Sequence, residues 1–214
     1  MKNIIILIAC FLFLKVAGQD SNANFDGKKW KAPYTLDAPE GWDIERFLIP
    51  VGFAPTITYK GVEDIRFTPG WAKKATDEYW SYAFLWYLEG APKFDSKILK
   101  NNLIAYYTGL FKINTDKSKI DTTKLIQVTA SIEEKKAEKG DSKTFQGRVN
   151  MNDYMTKEPI LINVKIHLKY SEDQKHAFVF FEVSPKPYSN NVWASLGQLW
   201  VNFKHTPMDL LKKL

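Results

Sequence analysis

Between residues 123 and 183 the sequence alternates apolar and polar residues through four successive runs, and this alternation constrains the fold more than any other feature. The apolar, small or aromatic members of the four runs are Ile126, Val128, Ala130 and Ile132; Phe145, Gly147, Val149 and Met151; Ile160, Ile162, Val164, Ile166, Leu168 and Tyr170; and Ala177, Val179, Phe181 and Val183. A period of two is typical of half-buried antiparallel strands. The stretch therefore predicts a four-stranded meander with one apolar face.

The same alternation predicts how the strands pair. In the last hairpin, Tyr170 opposite Lys175 keeps apolar residues opposite apolar residues on one face. In the first hairpin, Ile132 opposite Phe145 does the same. A slip of one residue would turn every side chain to the other face, so we expect these two registers.

Two helices are predicted around the meander, one from Asp95 or Ser96 to Gly109 and one that begins at Ser189 or Asn190. Each begins at a capping residue and carries apolar residues at helical spacing. Upstream, residues 78–88 are bulky on both alternating faces, which predicts a strand covered on both sides, or covered on one side with an aromatic cleft on the other. The order of elements predicts an α+β fold, in which an antiparallel sheet of about five to seven strands packs its apolar face against both helices.

The N-terminus has the order of a secretory signal peptide: Lys2, an apolar run over residues 4–14, Lys15 and small residues up to Gly18. The run is too short to span a bilayer of about 30 Å as a helix. We expect cleavage after Gly18 and export to the periplasm or the extracellular space. The alternative is a lipoprotein cleavage box that ends at Cys10 and leaves this residue acylated as a lipid anchor.

The predicted organisation is a signal peptide (1–18), a flexible leader (19–33), a single α+β domain (34–206) and a C-terminal tail (207–214). Cys10 is the only cysteine, so cleavage leaves a chain without disulfides, thiolate nucleophiles or cysteine metal ligands. Such a domain is held by its core alone, which fits bacterial export better than a small disulfide-stapled module.

The charge balance argues against a nucleic-acid partner. The chain has 30 basic and 24 acidic residues, and loss of Lys2 and Lys15 with the signal peptide leaves a net charge of +4. The densest charged stretch, residues 133–139, alternates in sign, so no basic stripe of one sign is formed. We therefore expect no nucleic-acid partner, and no transmembrane segment in the mature chain.

The segment 59–71, YKGVEDIRFTPGW, with EYWSY at 78–82, resembles a pattern shared by exported proteins of Gram-negative bacteria that have no established activity. The turn Pro39-x-Gly41-Trp42 and the order strand, helix, meander, helix are similar to the photosystem extrinsic subunit PsbP superfamily. This second resemblance implies an α+β fold. Neither resemblance carries a functional residue onto this chain.

Glu63, Asp64 and Arg66 form the best charged cluster in the sequence. In an extended segment Asp64 and Arg66 share one side and Glu63 takes the other. This pattern favours a structural ion pair that pins an otherwise irregular segment. The alternative is that Arg66 anchors an anionic group of a ligand through its planar guanidinium.

The second face of the last hairpin carries His167, His176, Phe178 and Phe180. In the predicted register the two histidines are diagonal neighbours on a solvated face, with His167 opposite Phe178. Flanking lysines make them a poor cation site, so we expect neither a metal nor a cofactor. The two phenylalanines need a cover: either the segment 42–71 or a partner of the sheet lies over them, or they form a shallow aromatic binding surface.

The sequence contains no Gly-x-Ser-x-Gly elbow, phosphate loop, dinucleotide fingerprint or His-Glu-x-x-His motif, so we predict no catalytic residue. The leading hypothesis is an exported non-catalytic domain that binds a ligand or partner through an aromatic surface. Its candidate contacts are Arg66, Trp71, His167, His176, Phe178 and Phe180. The alternatives are a hydrolase that uses Glu63 or Asp64 and a structural or assembly component of the envelope.

Overall fold

The computed structural model describes residues 25–116, 118 and 121–205. The predicted signal peptide, the candidate anchor site Cys10, residues 19–24 of the predicted leader and the predicted C-terminal tail lie outside these residues. In the described part of the leader, Trp30 packs against Tyr34 and Tyr87, with ring centroids 5.9 and 6.4 Å away.

The described residues form strands and helices in the order β1 (Tyr34–Thr35), β2 (Asp43–Ile49), β3 (Gly61–Phe67), β4 (Tyr82–Glu89), α1 (Ser96–Ile113), β5 (Thr129–Lys135), β6 (Lys143–Asn152), β7 (Pro159–Tyr170), β8 (His176–Ser184), α2 (Val192–Asn202) and β9 (Lys204–His205). Seven strands form one antiparallel sheet in the order β2-β3-β4-β8-β7-β6-β5, and β1 pairs with β9. The predicted fold class, an α+β fold with an antiparallel sheet packed against two helices, is confirmed.

The large sheet consists of two meanders, β2 to β4 and β5 to β8, joined by the pairing of β4 with β8. The prolines at 50, 55 and 69 fall between the strands, where the missing N–H removes no ladder hydrogen bond. After β4 the chain crosses the sheet as α1, which packs against β5 and β6 at the far edge. The chain then returns strand by strand until β8 reaches β4, so β4 and β8 lie at the centre.

The two helices pack on opposite faces of the sheet, so the prediction that both cover one face was wrong. Tyr106 of α1 lies in one core cluster with Phe84. Leu196 of α2 lies in a second cluster with Leu85 and Phe180. The reason is the composition of the central strands: β4 and β8 are apolar on both faces and both faces must be covered, whereas the outer strands alternate.

The register of the last hairpin differs from the prediction by two residues, since Tyr170 pairs with Ala177 instead of Lys175. A two-residue shift leaves every side chain on the same face, so alternation alone does not distinguish the two registers. The turn decides between them: the Ser171 amide donates to the His176 carbonyl at 2.9 Å and closes a tight loop.

The first hairpin is shifted in the same way, with Ile132 opposite Gly147 instead of Phe145. A Cβ atom at Gly147 would lie 2.0 Å from the Ser131 carbonyl oxygen and 2.7 Å from Cδ1 of Ile132. The observed register therefore depends on the missing side chain of Gly147, which lets β5 approach β6 closely.

Helix α1 begins as predicted, because the Asp95 carboxylate caps it by accepting from the Ile98 amide at 2.7 Å. The predicted end at Gly109 was wrong, since the helix continues to Ile113. Gly109 instead permits a close approach: a Cβ atom there would lie 1.9 Å from the carbonyl oxygen of Phe53. The absence of a side chain at Gly109 allows the loop after β2 to pack directly on α1.

We expect Gly109→Ala to lower the free energy of unfolding by about 1–3 kcal/mol, because the methyl group would push the Phe53 carbonyl away. In an ordinary helix interior the same change favours the helix by up to about 1 kcal/mol, so the expected sign is reversed. Urea denaturation measures the effect. The matched control is Gly197→Ala in α2, where the nearest atom to the added methyl is Glu182 Oε1 at 3.4 Å. Equal stability changes in the two variants would contradict this role of Gly109.

Candidate functional site

A cavity of about 570 Å³ lies between the β2 edge of the sheet, the C-terminal end of α1 and the loops that follow β2, β3 and β6. Its volume falls within the range of about 300–1,000 Å³ that is usual for small-molecule sites. Its wall is mainly aromatic and aliphatic. The aromatic residues in the wall include Phe47, Phe53, Phe67, Trp71, Tyr106 and Tyr154.

The loop between β3 and β4 holds Trp71 in the wall. The Gly70 amide donates to the Glu78 carboxylate at 2.6 Å, and the Trp80 amide donates to the Trp71 carbonyl at 2.8 Å. The Trp71 ring lies against Phe67, with centroids 4.4 Å apart. The loop between β3 and β4 therefore contributes one side of the cavity.

Trp80 is the one described residue of the wall with a positive φ. It is buried with a φ of +55°, which is an outlier for a bulky side chain and costs on the order of 1–3 kcal/mol. Its ring packs edge-on against Tyr154 at 5.1 Å between centroids. The surrounding contacts hold this conformation, so Trp80 gives the cavity a fixed side.

Two charged side chains and one amide interrupt the aromatic and aliphatic wall: Glu45, Arg46 and Asn114. Glu45 is exposed at the rim and, among the residues that the structure describes, no hydrogen bond or ion pair engages its carboxylate. Partial burial raises the pKa of Glu45, and the neighbouring Asp43 adds to the shift. Asn114 caps the end of α1, where its side-chain amide donates to the Leu110 carbonyl at 2.9 Å.

Glu63 lies behind the wall and is connected to it through Tyr106. The Tyr106 hydroxyl donates to one oxygen of the buried Glu63 carboxylate at 2.6 Å, and Trp86 Nε1 donates to the other at 2.9 Å. Burial raises the pKa of Glu63, the two hydrogen bonds lower it, and Glu45 raises it, with a net value of about 7. The carboxyl is therefore poised between its two protonation states near neutral pH.

Asp64 and Arg66 face α2 and Glu63 faces α1, in agreement with the predicted alternation. Arg66 donates to both oxygens of Asp64 and to the Leu36 carbonyl at 2.6 Å. The Arg46 Nε atom lies 2.8 Å from Asp64 Oδ1. Arg66 and Asp64 are 1% and 0% exposed, so this ion pair is buried on the face opposite to the cavity.

Phe178 and Phe180 are buried, so the protein itself occupies the surface on which an aromatic site was predicted. Phe180 stacks on Trp200 of α2 at 5.3 Å, and Phe178 packs against Phe203 at 5.2 Å between centroids. A cover was one of the two predicted alternatives. The cover is α2 and not the segment 42–71, because α2 packs on this second face.

His167 pairs with Phe180 instead of Phe178 and is 1% exposed, so its placement on a solvated face was wrong. Its Nδ1 atom lies 2.7 Å from Asp141 Oδ2 and its Nε2 atom 2.9 Å from Glu182 Oε1. Burial alone would lower the pKa of His167, but the two hydrogen bonds outweigh burial and raise the pKa to about 9. The imidazolium therefore bridges two carboxylates in the core.

Trp71 is the one predicted contact residue that lines the cavity. His176 lies elsewhere, stacked on Tyr87 at 4.7 Å between centroids. The sequence did not identify Tyr106 or Tyr154 as site residues, because Tyr106 belongs to the apolar stripe of α1 and Tyr154 to a loop. Both are tyrosines with apolar neighbours, and this pattern is equally typical of a packed core.

In the described ranges no group of three or more His, Cys, Asp or Glu side chains is arranged to hold a metal ion. None of the helices described is both long enough and apolar enough to cross a membrane. Comparisons with protein-family models, curated proteins and solved structures found no match to this chain. The resemblances noted from the sequence therefore remain predictions.

Proposed function

We propose that this protein is an exported non-catalytic binding domain that receives the apolar body of a small ligand in the aromatic cavity. The observation that carries the proposal is the cavity itself, about 570 Å³ with a mainly apolar wall at one edge of a tightly packed sheet. Each Å² of apolar ligand surface removed from water there contributes about 25 cal/mol. Export rests on the predicted signal peptide.

The fixed wall supports binding, because a preformed site loses little conformational entropy when it is occupied. Phe53 packs edge-on against Tyr106 at 5.1 Å, and Phe67 packs against Trp71 at 4.4 Å between centroids. These pairs hold flat ring surfaces around the cavity. Rings fixed in this way suit apolar or flat ligand groups.

Binding is tested by titrating the mature chain with N-phenyl-1-naphthylamine, an apolar dye whose fluorescence rises in dry sites. We expect saturable binding by the wild type and at least about tenfold weaker binding by Ile113→Trp, since the larger ring narrows the rim and one decade corresponds to about 1.4 kcal/mol. The matched control is Val201→Trp, an exposed position on α2. Absence of saturable binding by the wild type, or equal binding by both variants, would contradict the proposal.

A carboxylate-dependent hydrolase is the second candidate, and the raised pKa of Glu63, about 7, favours it because a general acid works best near the ambient pH. Glu45 is a diagonal neighbour of Glu63 on the adjacent strand. Against this candidate, Glu63 is 1% exposed and both of its oxygens accept hydrogen bonds.

Chromogenic glycosides and esters distinguish the two functions. We expect no turnover by the wild type. Turnover that disappears in Glu63→Gln and persists in Val201→Trp would replace the binding proposal by the hydrolase.

A further inference from the structure

We infer that the ligand of this cavity is a cationic amphiphile, whose ammonium-type head lies between Glu45 and the C-terminal end of α1 while its apolar body enters the aromatic interior. The inference rests on the proposed function, because it specifies the class of ligand for the same cavity. Its main support is the charge complementarity between such a head and the rim of the cavity.

The first observation is the charge of the lining residues. Glu45 is the one carboxylate among the described residues that line the cavity, and no protein cation engages it there. Arg46 is the one cation in the same set, but its Nε atom lies 2.8 Å from Asp64, and its guanidinium also donates to the Gly27 carbonyl at 3.3 Å. Arg46 pairs across the strands with Asp64, so its guanidinium is held on the face opposite to the cavity, whereas Glu45 pairs with Ile65 on the cavity face and its carboxylate is available to a ligand.

The second observation is independent of Glu45. Helix α1 is 18 residues long, and Leu110, Ile113 and the C-cap Asn114 line the cavity. The Leu110 carbonyl accepts from Asn114, but no described donor reaches the carbonyls of residues 111–113. The end of a helix carries a partial negative charge of about half an electron. Lys112 belongs to the same turn, but it is exposed and does not line the cavity. The helix end therefore favours a cation at the same rim.

The third observation is the aromatic wall, since the faces of aromatic rings attract cations, including quaternary ammonium groups. An anionic head would meet the Glu45 carboxylate and the helix carbonyls, both of which repel it. A neutral head can donate hydrogen bonds to these groups but gains no charge attraction from them. The wall away from the rim is apolar, so the remainder of the ligand is apolar as well.

Three probes with the same decyl chain test the inference: decyltrimethylammonium, decyl maltoside and decyl sulfate, each titrated below its micelle concentration by isothermal calorimetry. We expect the ammonium probe to bind about five- to tenfold tighter than the maltoside, and the sulfate to bind weakest. Glu45→Gln is expected to reduce the preference for the ammonium probe and to leave maltoside affinity unchanged. Glu172→Gln, an exposed carboxylate in the turn after β7, is the matched control and keeps the wild-type preference.

The outcomes separate the two proposals. Equal affinity for the three probes, or an undiminished preference in Glu45→Gln, would overturn the cationic head and leave the binding function in place. Binding of none of the three probes would overturn the binding function itself.

Discussion

Replacement of Arg66 by Met is expected to lower the free energy of unfolding by about 3–5 kcal/mol, because it removes the main partner of a fully buried carboxylate. Asp64 is 0% exposed and is held by Arg66, by Arg46 and by the Tyr34 hydroxyl, which donates at 3.1 Å. Burial, followed by the nearby Asp64 charge, raises the pKa of Tyr34, so this hydroxyl remains a donor. Without Arg66, Asp64 keeps one cation and one hydroxyl in a site that water does not reach.

Chemical denaturation measures this loss, and two further variants show its cause. Arg148→Met removes an exposed arginine of β6 and is expected to cost less than about 1 kcal/mol. The double variant Asp64→Asn with Arg66→Met is expected to recover part of the loss, since it removes the unpaired charge as well. If Arg66 served a ligand instead, Arg66→Met would weaken binding and leave stability intact, which would contradict the structural role.

The second large effect is expected for His167→Gln, which keeps most of the side-chain volume but removes the charge between Asp141 and Glu182. Both carboxylates have side chains that are at most 1% exposed, and Glu182 Oε2 has no hydrogen-bond partner among the described groups. Loss of the bridging cation leaves two buried negative charges facing each other. We expect a decrease of about 3–5 kcal/mol in the free energy of unfolding.

The same residue makes stability depend on pH. The pKa of His167 is about 9 in the folded chain and about 6.5 in the unfolded chain, so the folded chain keeps the imidazole protonated to a higher pH. This stabilisation is complete below pH 6.5 and is lost as the pH rises through 9, a change of about 3 kcal/mol. Glu138, whose carboxylate lies 4.0 Å from the His167 ring, is itself paired with Lys165 at 3.3 Å.

Urea denaturation between pH 6 and pH 10 measures this dependence. The wild type and the control His176→Gln are expected to lose stability over this range, and His167→Gln is expected to lose much less. Glu63, whose pKa is raised to about 7, adds a smaller loss of stability between pH 6 and pH 7 in every variant. A slope that is undiminished in His167→Gln would assign the titration to another group.

The alternation of apolar residues predicted the strands of the meander because burial on one face imposes a period of two. It did not predict the registers, since shifts of two residues preserve that period and the turn at Ser171 and the space at Gly147 decide between them. The packing of the two helices on opposite faces of the sheet was partly predictable from the sequence. On the two central strands, Leu85 and Phe180 alternate with residues of the other core cluster. Both faces of these strands therefore carry apolar residues, and each face requires a cover.

The ion pair of Asp64 and Arg66 was predictable because residues two apart in a strand share a face. Their further partners were not, since the Leu36 carbonyl and the Tyr34 hydroxyl lie some thirty positions away in the chain. The cavity was the least predictable feature. Tyr106 has the same sequence context whether its ring meets another side chain or an empty volume, and only the packing of α1 on the sheet and on the loop after β2 distinguishes the two.

Both buried charge clusters lie on the α2 face of the sheet, and the cavity lies on the α1 face. The groups whose loss would unfold the chain are thus separated, by the thickness of a sheet, from the side chains that would select a ligand. Substitutions at Glu45 or Ile113 would thus alter the proposed ligand site without weakening these ion pairs. For this reason, new ligand specificities could evolve or be engineered at the cavity while the buried ion pairs stay unchanged.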